Sequence, residues 1–313
     1  MNIEEIEKKY PYFYKTHLYL KDNIFYKNVL ETSDDIAIDY ELAEKLCYDA
    51  FKLCQFNWEI YFKKLFNLLE INIEFLKLQA SLEETGKYLY TSFNEVEENV
   101  YKSKDNNQSR GVNYLWGLYF TQIFWVTHHR VLKFFIDEFI NNNKDGGVCL
   151  EAPSGNGVFL THFLINNKNW QGIAVDLSDT SIDFTKKMLN LDEISQERVK
   201  IIKGDINEYQ SDIKFDRIIC GEFLEHVEDP LAILKKLNSL LADDGKLFLT
   251  TVAWTAFIDH IYLYRNVNEI KKHIFQGGFK INKELIQNIF DKDKNNPDQD
   301  KKAILYAAVL EKS

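Results

Sequence analysis

The chain has little that would place it outside a cell, in a bilayer or on nucleic acid. Only four of its 313 residues are cysteine, at Cys47, Cys54, Cys149 and Cys220. They show no paired framework, which argues against a disulfide scaffold and points to a reducing cytoplasm. Cys149 and Cys220 sit in apolar, strand-like runs, where a thiol behaves as a small hydrophobe. The opening segment, Met1 to Lys9, lacks the apolar stretch of a secretory signal. The most hydrophobic run, Val112 to Val126, has 15 residues and includes Asn113, Thr121 and Gln122. That is short for a bilayer and suits a buried helix. An excess of positive charge is also missing: 38 basic residues face 48 acidic ones, for a net charge of −10. Such a chain gains little from neutralising phosphates, so neither a nucleic-acid nor a membrane partner is expected. No internal repeat or low-complexity tract is evident.

A hydrophobic content of 45% supports a sizeable core. The pattern changes near residue 142. Before it, apolar residues recur at helical spacing over 40–56, 58–90 and 112–140, with Tyr, Phe and Trp dense in the last of these. After the loop-like stretch 141–147, strands are expected at 147–151, 171–176, 199–203, 215–220 and 245–252. They alternate with helices at 156–167, 179–190, 229–242 and 267–276. Two last strands near 279–287 and 303–311 flank a charged stretch, Asp291 to Asp300, suited to a hairpin loop. Alternating βα units predict an α/β fold with a parallel sheet covered by helices on both faces. The expected division is a helical region over 1–142 and a sheet domain over 143–313.

The most telling stretch runs Val148-Cys-Leu-Glu151-Ala-Pro153-Ser-Gly155-Asn-Gly157. It reads as a buried strand turning sharply into a helix, where glycine allows positive φ or leaves room for a ligand against the backbone. Two more acids end the next two strands, Asp176 and Asp205. Three strand-ending acids beside one glycine turn describe a nucleotide-like ligand across the carboxyl edge of a parallel sheet. Each acid alone is as well explained as a helix cap; the ordered set favours a ligand. An NAD site would need a small residue where Leu160 stands, and NAD is excluded on that ground.

Residues 143–313 resemble a class I S-adenosylmethionine (SAM) dependent methyltransferase of the small-molecule type. The likeness rests on the glycine turn, Val175-Asp176-Leu177-Ser, Gly204-Asp205-Ile206, Phe215-Asp216-Arg-Ile-Ile, Glu222-Phe-Leu-Glu225-His226-Val-Glu-Asp-Pro230 and Leu241-Ala-Asp-Asp-Gly245. Each is weak alone; the six in order are specific. The resemblance implies a Rossmann-like seven-stranded sheet whose last strand is antiparallel, with SAM as cofactor. It implies that Gly155 and Gly157 admit the cofactor, Glu151 orients its amino group, Asp176 holds the ribose, and Asp205 and Ile206 hold the adenine. Leu177, Gly221 and Glu222 would also lie against it. Pro153 departs from the family, which has glycine there; proline offers no N–H and puts the pose of the methionine moiety in question.

Catalytic candidates are Glu222, Glu225, His226 and His260. In a helical turn the first three would share one face, with His260 reaching in from the neighbouring strand's end. A general base, or a structural role with catalysis by proximity alone, is favoured. A divalent metal held by the same groups is an alternative that is not favoured. His128 and His129 lie on the aromatic helix; a satisfied core histidine is the favoured reading of each, with one of them facing the substrate as the alternative. The helical region, as a lid rich in aromatic rings, favours an apolar or aromatic small-molecule acceptor of the methyl group at O, N or C. Two alternatives stay open: a SAM-using enzyme that cyclises SAM or moves its aminocarboxypropyl group, and a non-catalytic SAM-binding subunit.

Overall fold

The computed structural model describes residues 3–23, 26, 38–101, 108–141, 145–191, 194–290 and 300–313. Most of the expected charged hairpin loop, 291–299, lies outside the described residues.

Helices come first. Two short ones, α1 (Ile3–Lys9) and α2 (Pro11–Leu20), precede α3 (Tyr40–Leu53) and the long α4 (Trp58–Thr85). The Asp39 side chain caps α3 by accepting from the N–H groups of Glu41 and Leu42, and Asn57 caps α4 in the same way. These caps satisfy donors that a helix start leaves bare. Gly86 ends α4 in the left-handed region at φ 68°, so the run expected to reach residue 90 stops at Thr85. Then follow α5 (Phe93–Val96), α6 (Gln108–Phe124) and α7 (Val126–Phe134), with wider π turns over Glu97–Tyr101 and Phe135–Ile140. The single helix expected over 112–140 is therefore broken. Trp125 is extended, at φ −89° and ψ 111°, and its indole N–H is held by Asn72 Oδ1 at 3.0 Å. That anchor on α4 fixes the corner between α6 and α7. Among the described residues no helix is long and apolar enough to cross a membrane.

The second half alternates as its pattern requires. In chain order it runs β1 (Gly147–Glu151), α8 (Val158–Asn166), β2 (Trp170–Asp176), α9 (Asp179–Leu191), β3 (Val199–Lys203), β4 (Phe215–Cys220), α10 (Pro230–Leu240), β5 (Leu241–Ala253), α11 (Val267–Gln276), β6 (Phe279–Asn288) and β7 (Ile304–Lys312). The seven strands lie in the order β3-β2-β1-β4-β5-β7-β6. Parallel pairing links β1 to β5, and β7 runs antiparallel to both of its neighbours. The strand order reverses between β1 and β4. At such a point the connecting loops leave in opposite directions and open a crevice at the carboxyl edge.

Successive residues of each strand face opposite layers. Cys149, Ile219, Phe248 and Leu305 point into one core, shared with α2, α3, α4, α6, α7, α8 and α9. Leu150, Ile218, Leu247 and Tyr306 point into the other, closed by α10 and α11. The helical first half is thus packed directly onto one face of the sheet. Phe248 sits at this seam, fully buried, with its ring 4.7 Å from that of Phe135 and 5.7 Å from that of Phe139. Phe248→Ala is expected to cost about 3–5 kcal/mol, the usual loss for a large core aromatic, read as a lower midpoint in urea unfolding.

Candidate active site

The glycine turn after β1 is built as the sequence pattern suggests. Gly155 and Gly157 both have positive φ, 52° and 71°. A Cβ on Gly157 would fall 2.9 Å from Thr185 Cα on α9, whereas one on Gly155 would meet no protein atom within 4 Å. One glycine is therefore needed for packing and the other faces open space. Pro153 lies in the same turn and donates nothing.

Asp176 ends β2 and ties the turn down. Its Oδ2 accepts the Gly155 N–H at 2.9 Å and its Oδ1 accepts the Ser178 N–H at 2.8 Å. Burial raises its pKa, against the lowering effect of these N–H groups. Each carboxylate oxygen keeps a lone pair for a further donor. Glu151 ends β1, almost fully buried, and its Oε2 has no hydrogen-bond partner. Burial holds its carboxyl far above the usual range, with the Leu160 N–H opposing. At the third strand end, Asp205 Oδ1 accepts the Asn207 N–H at 2.8 Å. Gly204 beside it is open, since a Cβ there would meet nothing within 4 Å. Ile206 is buried in the second core, while Leu177 is 52% exposed above the end of β2.

The segment after β4 corrects the shared-face expectation. Glu222 is left-handed at φ 45°, its N–H bound to the Thr250 carbonyl at 3.0 Å and to Thr250 Oγ1 at 2.9 Å. Only Leu224–His226 forms a turn, of the tight 3-10 type. Glu222 thus shares no helical face with Glu225 and His226; its Oε1 lies 3.5 Å from Nε2 of His128 on α7, while its charge still acts on both of them. A left-handed non-glycine residue costs about 1–2 kcal/mol, and the paired Thr250 bonds hold it in place.

Glu225, His226 and His260 do converge, each offering a donor atom within 4.8 Å of the others. Glu225 Oε2 accepts from Thr251 Oγ1 at 2.7 Å, and Oε1 has no partner. Burial lifts the Glu225 carboxyl to about 7. The His226 ring Nδ1 is 3.1 Å from the Asp259 carbonyl and the His260 Nδ1 is 2.8 Å from that of Thr255. Carbonyls only accept, so both Nδ1 atoms carry hydrogen and both Nε2 atoms present lone pairs when the rings are neutral. Burial pushes His260 down to about 3. Burial also pushes His226 down, but Asp259 and Glu225 outweigh it and its pKa is raised. Thr251 was not anticipated; its only signal was a pair of hydroxyls, Thr250 and Thr251, in the apolar second half of β5.

The helical half reaches this edge at two places. Gln79 of α4 donates to the Trp254 carbonyl at 3.0 Å and accepts the Ala256 N–H at 3.0 Å, gripping the loop that carries His260. The strap over 86–101 follows: Tyr88 Oη donates to the Thr255 carbonyl at 2.8 Å, and its ring packs 5.4 Å from His260. Trp125 and Phe257 continue the wall, 4.9 Å from His128 and 5.6 Å from His260 between ring centres. His129 is a satisfied core histidine, as expected. His128 is held only at Nδ1, and its Nε2 lies 3.5 Å from Glu222 Oε1, a neighbour the sequence did not disclose.

A sheet of this order with a glycine turn and three strand-ending acids defines the methyltransferase class. Residues 124–284 match the methyltransferase domain family, and the chain belongs to it. It is 37% identical over 110 residues to a mitochondrial ubiquinone biosynthesis O-methyltransferase of Schizosaccharomyces pombe, covering 35% of this chain and 36% of that one. It is 29% identical over 135 residues to (S)-coclaurine N-methyltransferase of Papaver somniferum, covering 43% and 38%. The chain thus matches little more than a third of the length of these curated relatives. A solved coclaurine N-methyltransferase bound to N-methylheliamine and SAH shares the fold at 12% identity, with a TM-score of 0.52 over 91% of this chain and 97% of that one.

The residues present fit SAM: a partnerless buried carboxylate oxygen at Glu151 lies beside a turn whose Gly155 faces open space. Gly155→Ala is expected to lower stability by only about 1–2 kcal/mol, for its φ, while weakening SAM binding at least about tenfold by filling that space. Gly157→Ala should do the reverse damage, unfolding more easily because its Cβ meets Thr185. Calorimetric titration and urea melts on both variants check the contrast.

Proposed function

We propose that this protein moves the methyl group of SAM to an O, N or C nucleophile on a small apolar or aromatic molecule. The observation that carries this reading is the buried, partnerless Glu151 oxygen beside an open glycine turn, on the same sheet edge as the Glu225–His226–His260 cluster. Relatives acting in ubiquinone and coclaurine chemistry support an aromatic acceptor, as do the rings of Tyr88, Trp125 and Phe257 over the edge. The four cysteines are free and buried, which suits a cytoplasmic enzyme.

The sulfonium of SAM activates its methyl group, so the protein supplies position and, where the nucleophile is protonated, a base. Glu151 accepts from the cofactor's amino group. Asp176 accepts from the ribose hydroxyls while still holding the turn, and Asp205 and Ile206 flank the adenine with Leu177 above. Pro153 contributes shape without a hydrogen bond, and Gly221 keeps backbone close to the cofactor. His226 takes the proton at Nε2, because the Asp259 carbonyl fixes its Nδ1–H, and the nearby acids stabilise the imidazolium that results. Glu222 and Glu225 supply those charges, and His260 packs edge-on against the His226 ring, with centroids 4.9 Å apart.

A second reading has its own support. Two neutral imidazoles oriented by backbone carbonyls and one unpartnered carboxylate oxygen are a donor set for a divalent ion. Glu225, His226 and His260 would hold it, and it would supply a Lewis acid for an acceptor oxygen.

Asp176→Ala should weaken SAM and S-adenosylhomocysteine (SAH) binding by about 1–3 kcal/mol; unchanged affinity by calorimetry would remove it from the ribose site. SAM incubated with the protein alone should be left intact, since release of methylthioadenosine would indicate cyclisation or aminocarboxypropyl chemistry instead.

With His226 as base, His226→Ala should lower turnover by about two to four orders of magnitude with SAM affinity kept, and EDTA should have no effect. Loss of activity in EDTA, with about one divalent ion per chain by elemental analysis, would establish the metal in its place.

A further inference from the structure

Two adjacent histidines on α7 are held in different ways. His129 is fully engaged: its Nδ1–H donates to the Gln122 carbonyl at 2.9 Å, and its Nε2 accepts the Asp39 N–H at 2.9 Å. His128 is equally deep, at 7% exposure, yet only its Nδ1 is hydrogen-bonded, to Thr121 Oγ1 at 2.7 Å. That hydroxyl also lies 2.7 Å from the Leu118 carbonyl and donates to it, and it has one proton to give. Nδ1 of His128 is then the donor towards Thr121, and Nε2 carries a lone pair. What Nε2 faces is Glu222 Oε1, at 3.5 Å. The gap exceeds the usual 2.7–3.2 Å of an N–H···O bond, and the carboxylate can only accept.

Two acceptors thus oppose each other across a narrow gap. The Glu222 backbone is fixed by its left-handed conformation and the Thr250 bonds, which set where its side chain starts; the His128 ring is held by Thr121 and by Trp125, whose ring centre is 4.9 Å away. An arrangement of this kind lacks one shared donor. We propose that His128 Nε2 and the Glu222 carboxylate together bind an N–H or O–H group of a ligand, against the aromatic wall of Trp125 and Phe257. The inference rests on reading this edge as the acceptor side of a methyl-transfer site. It adds that the helical half contributes a polar recognition group, His128, and that the acceptor carries a hydrogen-bond donor on an aromatic body. The same chemistry could come from the ammonium of SAM, and the test separates the two sources.

Full-length protein saturated with SAH is titrated calorimetrically with benzylamine and with phenol, and the free protein with SAM. The variants are His128→Phe, His128→Gln and Glu222→Gln, each checked for an unchanged fold by circular dichroism. At least one probe is expected to bind the wild type. His128→Phe and Glu222→Gln should each weaken it by about tenfold or more, the loss of one good hydrogen bond. SAM affinity should stay within about threefold, and His128→Gln, which keeps an acceptor oxygen, should recover part of the probe affinity. A tenfold loss confined to SAM would assign the pair to the cofactor's ammonium and still uphold the two-acceptor clamp. Unchanged affinity for SAM and probes in Glu222→Gln and both His128 variants overturns it. So does a wild type that binds SAM but neither probe, with variants that keep SAM affinity. If His128→Phe fails to fold, Glu222→Gln and His128→Gln carry the comparison. A wild type that does not bind SAM at all defeats the methyltransferase reading instead.

Discussion

The geometry of the carboxyl edge depends on one contact, the apolar seam between the helical first half and a face of the sheet. The side chains of Cys149, Ile219, Phe248 and Leu305 that point to that face share one core with the helices formed before β1 and with α8 and α9. Burial of aromatic area at roughly 25 cal/mol per Å² makes this seam a large share of the stabilisation. It also has a geometric product. With α7 against β6 and α4 held on α6, Gln79 reaches the backbone of Trp254 and Ala256, and His128 comes up to Glu222. Packing and chemistry are set by the same surface.

That seam also sets the electrostatics. Closing the edge removes water from carboxyl and imidazole groups that would otherwise be solvated, and burial disfavours whichever form is charged. Glu151 and Glu225 are driven upward and His260 downward chiefly for this reason, with Asp176, Glu222 and His226 respectively adding to it. His226 is the exception, because the acids around it outweigh its burial. The edge thus holds neutral imidazole, reluctant carboxylate and one ready proton acceptor within a few ångströms.

Much of the sheet was legible because its signals are local. Short apolar runs followed by Glu151, Asp176 and Asp205 place three strand ends, and glycine at 155 and 157 marks the turn whatever surrounds it. The broken helix at Trp125 was not legible, since its cause is an indole bond to Asn72, a residue 53 positions away. The face shared by Glu222, Glu225 and His226 failed for a similar reason. Helical spacing predicts it, but Thr250 on the next strand captures the Glu222 N–H and turns the backbone left-handed. Nothing in the neighbourhood of His128 distinguishes it from His129; the difference lies in partners supplied by distant elements.

The strap over 86–101 carries a consequence for traffic. Rotating the helical half away as a body would tear open the whole seam, including Trp116 against Phe184 and Phe135 against Phe248. The strap is attached far more lightly. Among the described residues its apolar footing is two small clusters with three buried residues each, around Trp254 and around Ile261, and its polar ties include Tyr88 to Thr255 and Phe93 to Glu228. Segments with little buried surface open locally at the lowest free energy. Opening at this edge therefore breaks least if it starts at the strap, and the contact of Tyr88 with His260 is what such an opening has to undo.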